Sequence, residues 1–356
     1  MGWLAGQPLR GLRRDAQGYP REQGLFDPDE ALARTPPFLI LDPPDHTRLR
    51  GLVSKAFTPK AIEQERPRVQ RIVDELLDRV AERRCVELIE EIAYPLPVRA
   101  ICGMLGVPPE DHERFSGWSR LLSQAMDPQP NTPPETIAAR REAGNAFAQY
   151  FRDFIAERRK RPGDDLLSQL IAVEEAGDVL SENELISTSI LLLAAGHETT
   201  VSLIGNGVLA LLRHPEELSR LQHDPSLARS TVEEVLRYDA PVQFAIRTAK
   251  DDIELDGYVI AEGDQLLLLL ASANRDAAQF PEPDRFDVSR NDSRHLAFGH
   301  GIHFCLGAPL ARLEGELFFA ALARRFSRIF LRTEALEYAP NIVNRRLAEL
   351  PIEVNT

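Results

Sequence analysis

The chain has 356 residues, a formal net charge of −13, 43% hydrophobic and 27% charged residues, the composition of a soluble globular protein with a large core. The acidic balance argues against a general nucleic-acid surface, no apolar run is long enough for a membrane span, and the N-terminus lacks the apolar core of a secretion signal, so a cytoplasmic protein that binds neither nucleic acid nor membrane is expected. Cys85, Cys102 and Cys305 are too few and too irregularly spaced for a disulfide framework or a zinc cluster.

Length alone suggests about two domains. No linker divides the chain, because "DPQPNTPP" at 127–134 sits between helical patterns and reads equally well as a surface loop. One domain over 1–356 is expected, and a monomer is the default.

In chain order, the first chemical feature is "HTRLR", where His46 and Arg50 lie four apart and face the same way on a helix. From His46 to Ile72 the basic residues Arg48, Arg50, Lys55, Lys60, Arg66, Arg68 and Arg71 outnumber Glu63 and Glu65. Such a stretch can attract an acidic partner or be a solvated helix face. Thr58 before Pro59 predicts an N-cap with proline at the first helical position, and Pro67 starts a second helix. Further helices are predicted at "YPLPVRAICGMLGV", "ETIAARREAGNAFAQYFRDFIAERRK" and "DDLLSQLIAV". Ser181 and Glu184 form a capping box before "LISTSILLLAAGHETTVSLIGNGVLALLRH", which is apolar nearly all round and predicts a buried helix. Its "HETT" is out of place there. A zinc-protease helix needs a second histidine at position 201, and Val201 stands there, so zinc is not indicated.

Glu234 and Arg237 in "EEVLRY" are three apart on a predicted helix, a spacing that on a surface is common and worth little. Strand signals come late: "DIEL" and "YVIAEG" around an Asp256-Gly257 turn, then "QLLLLLAS", and more weakly "LAELPIEV". The picture is a mainly α protein with a small antiparallel β portion. Last comes "HLAFGHGIHFCLGAPLAR", residues 295–312. Gly299, Gly301 and Gly307 flank Cys305, so the backbone can turn tightly and approach a flat ligand. Leu306, Leu310, Leu313 and Leu317 then recur at helical spacing. A cysteine before a helix start favours the thiolate, which suits a soft metal or haem iron; a buried structural cysteine is the alternative.

"FGHGIHFCLG", Phe298 to Gly307, resembles the haem-binding loop of the cytochrome P450 superfamily, and "AAGHETT", "EEVLRY" and "HTRLR" resemble other motifs of that family. The likeness runs through most of the chain and is strongest to soluble bacterial members. The resemblance implies the cytochrome P450 fold, with the haem between the long central helix and the cysteine-loop helix. It implies haem b (iron protoporphyrin IX) with Cys305 as its axial ligand, and Phe298 and Gly299 in the loop. His46, Arg50, Arg247 and His303 match haem-propionate positions. Ala195 and Gly196 match the place where the central helix opens beside the oxygen site, with Glu198 and Thr199 as its acid and alcohol pair. Glu234 and Arg237 match the buried structural pair, with Arg285 in "FPEPDRF" as their third member. Matching pocket positions are Phe38, Leu39, Leu192, Ala195, Val242, Phe244, Ala245, Ile342 and Val343.

The implied activity is that of a haem-thiolate monooxygenase, inserting one atom of O2 into a C–H bond of a hydrophobic small molecule, with electrons from a separate ferredoxin or flavodoxin and its reductase. A peroxide-driven enzyme of the same family and a non-catalytic haem sensor are the rival readings. The Glu198 and Thr199 pair argues against both. Two departures stand out: only 45 residues precede His46, short for the family, and Arg346 occupies a position where the family commonly has glycine.

Overall fold

A computed structural model describes residues 35–55, 57–124, 132–175, 180–291 and 294–355; the chain up to residue 34 and most of the 127–134 stretch lie outside the described residues. The helices are α1 (Asp45–Ser54), α2 (Pro59–Gln64), α3 (Arg66–Ala81), α4 (Pro95–Leu105), α5 (His112–Gln124), α6 (Pro134–Lys160), α7 (Leu166–Glu175), α8 (Glu182–Arg213), α9 (Pro215–His223), α10 (Ala228–Tyr238), α11 (Leu270–Ala273) and α12 (Ala308–Arg325). The strands are β1 (Cys85–Glu87), β2 (Ala245–Thr248), β3 (Ile253–Leu255), β4 (Tyr258–Ile260), β5 (Gln265–Leu268), β6 (Arg328–Leu331) and β7 (Pro351–Asn355).

Local chemistry explains most boundaries. Thr58 accepts a hydrogen bond from the Ala61 amide, 3.1 Å, and so caps α2. The Ser181 amide donates to Glu184 at 2.7 Å while the Glu184 amide donates to the Ser181 hydroxyl at 3.3 Å. That reciprocal pair starts α8. Gly106, with φ of 77°, ends α4 in the left-handed conformation that glycine adopts without a Cβ penalty.

The chain forms two compact units. One takes in the described residues within 1–56 and 117–194, the other those within 57–116 and 195–356. In the first, Phe147 and Phe151 on α6 stack at 4.8 Å, with Trp118 of α5 edge-on to Phe147 at 5.6 Å. The α6–α7 corner is pinned by Arg158 donating to Asp165 at 2.7 Å, and Asp165 also accepts the Ser168 amide. Arg48 of α1 pairs with Glu184 of α8.

In the second unit, α12 packs on both α3 and α10. Close approach to α8 depends on glycine: a Cβ at Gly207 would lie 2.4 Å from Phe319 Cζ. The sheets are small and antiparallel. β1, β7 and β6 form a three-stranded sheet, with Val86 opposite Ile352 and Ile329 opposite Val354, while β2–β5 and β3–β4 are two-stranded. The β3–β4 turn is made by Asp256 and Gly257 with φ of 49° and 81°, the left-handed pair expected of this hairpin type. The expected strand "QLLLLLAS" holds only to Leu268; the chain then turns through α11 to bring Asn274 inside. There Asn274 is fully buried, accepting the Leu296 amide at 2.7 Å. Among the described residues no helix is long and apolar enough to cross a membrane.

Candidate active site

The cysteine loop turns on two left-handed glycines, Gly299 (φ 71°) and Gly301 (φ 73°), where any L side chain is strained. A short 3-10 turn, Gly301–His303, follows. The Cys305 amide then closes the loop by donating to the Phe298 carbonyl at 2.9 Å. Gly307 is the N-cap of α12, and a Cβ added there would lie 4.0 Å from the Cys305 sulfur. Cys305 is half-buried, while the neighbouring apolar Ile302 and Phe304 are 51% and 40% exposed.

A buried polar brace ties α10 to the segment 274–290. Arg237 donates bidentately to Glu234, Nε to Oε2 at 2.7 Å and Nη2 to Oε1 at 2.8 Å, with both side chains wholly inaccessible. The remaining guanidinium protons go to the carbonyls of Asn274, Pro283 and Arg285 at 3.2, 2.7 and 3.0 Å. The third side chain of the group is Arg290, whose Nε lies 3.1 Å from Glu234 Oε2. This corrects the expectation for Arg285: its carbonyl accepts from Arg237, but its side chain faces solvent and pairs with Glu282 and Asp287. The meander needs five more residues before a side chain can turn back to Glu234.

A second brace was not anticipated from sequence. Glu233 accepts from Arg312 at 2.6 and 3.0 Å and contacts His295 at 3.1 Å. Although burial opposes ionisation, hydrogen bonds from His295 and Arg312 hold the Glu233 carboxyl down at about 2. The Arg312 guanidinium lies 4.5 Å from the Phe298 ring centre, so this brace reaches the start of the cysteine loop.

Along α8, a Cβ at Gly196 would meet nothing within 4 Å. The helix is continuous through Ala195 and Gly196, so the opening expected there is absent as a break. Instead the hydroxyls of Thr199 and Thr200 donate to the carbonyls of Ala195 and Gly196 at 2.8 and 3.1 Å, back-bonds of the kind that bend helices. The Glu198 carboxylate accepts from Tyr94 OH at 2.6 Å and forms an ion pair with Arg346, whose Nε lies 2.9 Å from Oε2. Deeper still, Glu314 of α12 is fully buried; desolvation pushes its carboxyl up to about 8, opposed only by a hydrogen bond with Thr200.

The other expected residues fall as follows. In the first unit His46 is buried on α1 with its ring 6.4 Å from that of Phe38, and Arg50 is half-buried one turn on. Leu39 is exposed and Leu192 buried. In the second unit His303 sits in the 3-10 turn and Arg247 is exposed on β2. Val242 bridges to Asn344, and the Gln243 amide donates to the Val343 carbonyl at 2.9 Å. The structure therefore brings together the segment of Val242, Phe244 and Ala245 with the turn of Ile342 and Val343, where Ile342 is 59% exposed.

Among the described residues no group of three or more His, Cys, Asp or Glu could hold a metal ion. Cys305 thus stands as a single soft donor on a loop with glycine backbone and outward apolar side chains, a donor set that fits an iron already carried by a flat macrocycle. Against known families, residues 112–341 match the model described as Cytochrome P450, and the chain is 46% identical over 326 residues to Cytochrome P450 CYP107DY1 of Priestia megaterium, covering 91% of this chain and 78% of that protein. The chain belongs to the cytochrome P450 family. It is also 44% identical to the Vitamin D(3) 25-hydroxylase of Pseudonocardia autotrophica, over 89% of this chain and 78% of that one. Among solved structures, P450BioI in complex with hexadec-9Z-enoic acid ligated Acyl Carrier Protein aligns with a TM-score of 0.87 and 38% identity, over 96% of this chain and 89% of that chain. The protein is accordingly a cytochrome P450 monooxygenase, an oxidoreductase with a haem cofactor, similar to bacterial members of the family and with that family's fold.

Proposed function

We propose that this cytochrome P450 acts as one haem domain over 1–356, holding haem b through Cys305 and hydroxylating or epoxidising a hydrophobic small molecule of moderate size. The balanced reaction consumes substrate, O2, two electrons and two protons and yields oxygenated product and water. The observation that carries the reading is the thiol of Cys305 on its two-glycine loop, directly ahead of α12.

Cys305 would hold the haem through its sulfur, and the group so held would supply dioxygen activation. This chain's residues do the rest. Phe298 and Gly299 shape the loop; His46 and Arg50 in the first unit, and Arg247 and His303 in the second, are the residues that would neutralise haem propionates. Thr199 donates and accepts a hydrogen bond beside Gly196, and Glu198 passes protons from solvent, which keeps the site from flooding. Phe38, Leu39, Leu192, Ala195, Val242, Phe244, Ala245, Ile342 and Val343 give apolar contact to the substrate. The fatty acyl group carried in the P450BioI complex supports long-chain acyl substrates as the first class to try.

Electrons come from a separate ferredoxin or flavodoxin with its reductase, docking on the basic stretch Lys60, Arg66, Arg68 and Arg71. Arg66 and Arg68 are already paired, with Glu63 and Glu316 and with Glu65, so charge reversal at either is expected to slow electron transfer only a few-fold; unchanged rates in the double reversal remove this surface.

The test is turnover on fatty acids, terpenes, steroids and macrolides with a surrogate ferredoxin and reductase. Oxygenated product that needs O2, with peroxide leakage in Thr199→Ala, supports the proposal. Product formed only when peroxide is supplied moves the assignment to a peroxide-driven enzyme. Ligand-dependent spectral shifts with no product under either regime point to a sensor.

A further inference from the structure

Glu198 is held on both carboxylate oxygens. Tyr94 OH donates to Oε1 at 2.6 Å, and Arg346 Nε lies 2.9 Å from Oε2. The Arg346 guanidinium also sits 5.3 Å from the Tyr94 ring centre, and that ring packs edge-on to His197 at 4.8 Å. Tyr94 is 2% exposed. Its position follows from a single π turn, Ile89–Ala93, which closes with the Tyr94 amide on the Ile89 carbonyl at 2.8 Å just before Pro95 starts α4.

Arg346 does not act alone. Ser202, one turn past Glu198, donates to Asn344 Oδ1 at 3.0 Å, and Asn344 Nδ2 lies 3.4 Å from the Glu198 carbonyl. Asn206, a further turn on, donates to the Arg345 carbonyl at 3.1 Å. Residues 198, 202 and 206 share one face of α8. Three successive turns of that helix thereby staple the segment that carries Ile342 and Val343.

We propose that Arg346 and Tyr94 are positioning residues for Glu198, fixing its carboxylate in one orientation and registering it to the turn of Ile342 and Val343. A free glutamate side chain samples several rotamers, and each lost rotamer shortens the time needed to find a productive proton path. The arginine that departs from the family's usual glycine becomes, in this chain, the second anchor of the proton-handling acid. The inference rests on the proposed role of Glu198.

The test compares haem-loaded wild type with R346A, R346K, Y94F, E198Q and R346A/E198Q. With a surrogate ferredoxin and reductase and no added substrate, each is scored for the ratio of water to hydrogen peroxide formed from O2. That ratio falls roughly tenfold in R346A, the loss expected for one mostly buried ion pair, falls less in Y94F, and recovers partly in R346K. R346A/E198Q is no worse than E198Q alone. Independently of turnover, amide hydrogen exchange across 341–347 quickens in R346A by roughly tenfold, while the 298–307 loop is unchanged. An E198Q variant with the wild-type ratio removes the proton-handling reading of Glu198, and the exchange measurement then decides the anchoring separately. Unchanged exchange across 341–347 in R346A, or losses that multiply in the double variant, overturns the proposal.

Discussion

Replacing Glu314 by Gln keeps the shape of a fully buried side chain and removes its proton. Burial raises the carboxyl to about 8, against an ordinary value of about 4.3 in an unfolded chain. Between those values the folded protein holds a proton that the unfolded chain has released, so stability falls as pH rises, by about 1.4 kcal/mol per unit while the native group stays protonated. Integrated from pH 6 to pH 8, with the group half-ionised at the upper end, the loss is about 2 kcal/mol. The amide of the Glu314→Gln variant carries no such dependence. Urea unfolding of the haem-loaded wild type and E314Q, followed by far-ultraviolet circular dichroism at pH 6, 7 and 8, reads the difference between the two proteins, in which all other titrations cancel. The stability of E314Q relative to wild type is expected to rise by about 2 kcal/mol across that interval. A constant difference would mean that Glu314 is ionised in the native state and has charged partners beyond Thr200.

Two further contrasts test the packing. Arg290→Ala removes a partner of the inaccessible Glu234 carboxylate and is expected to cost about 2–3 kcal/mol in thermal or urea unfolding, whereas Arg285→Ala takes away only exposed pairs and should cost less than about 1 kcal/mol; the reverse order would restore Arg285 as the third member of the brace. At Gly207 an added methyl meets the Phe319 ring, so Gly207→Ala is expected to destabilise by about 1–3 kcal/mol, with Phe319→Leu in the same background recovering part of the loss; a neutral Gly207→Ala would show that α8 and α12 can separate freely.

Most of the helices were legible because their signals are local. The Thr58–Pro59 start, the Ser181–Glu184 box and the Asp256–Gly257 turn each depend on residues within three or four positions, and each formed as read. β1, β2 and β6 were not read, because three- or four-residue strands such as "CVE" and "RIFL" carry too little pattern and are fixed by long-range pairing with β7 or β5. The site divides in the same way. Cys305 and its glycines announce themselves by spacing, and Glu234 with Arg237 by a helical interval. Arg290 could not be picked from a meander that also offers Arg275 and Arg285, since only the folded path decides which guanidinium turns inward. The links of Tyr94 and Arg346 to Glu198 span 104 and 148 residues of sequence, and no local pattern marks them; the one available hint was that an arginine stood where glycine is usual.

The claim on which the rest depends is that Cys305 ligates haem iron as a thiolate. The absorption spectrum of the purified haem-loaded protein, reduced with dithionite and exposed to carbon monoxide, reads that bond. A strongly red-shifted Soret band that is lost in Cys305→Ala is the expected result. The bluer band of a histidine-ligated haem, or a red-shifted band that persists in Cys305→Ala, would contradict it.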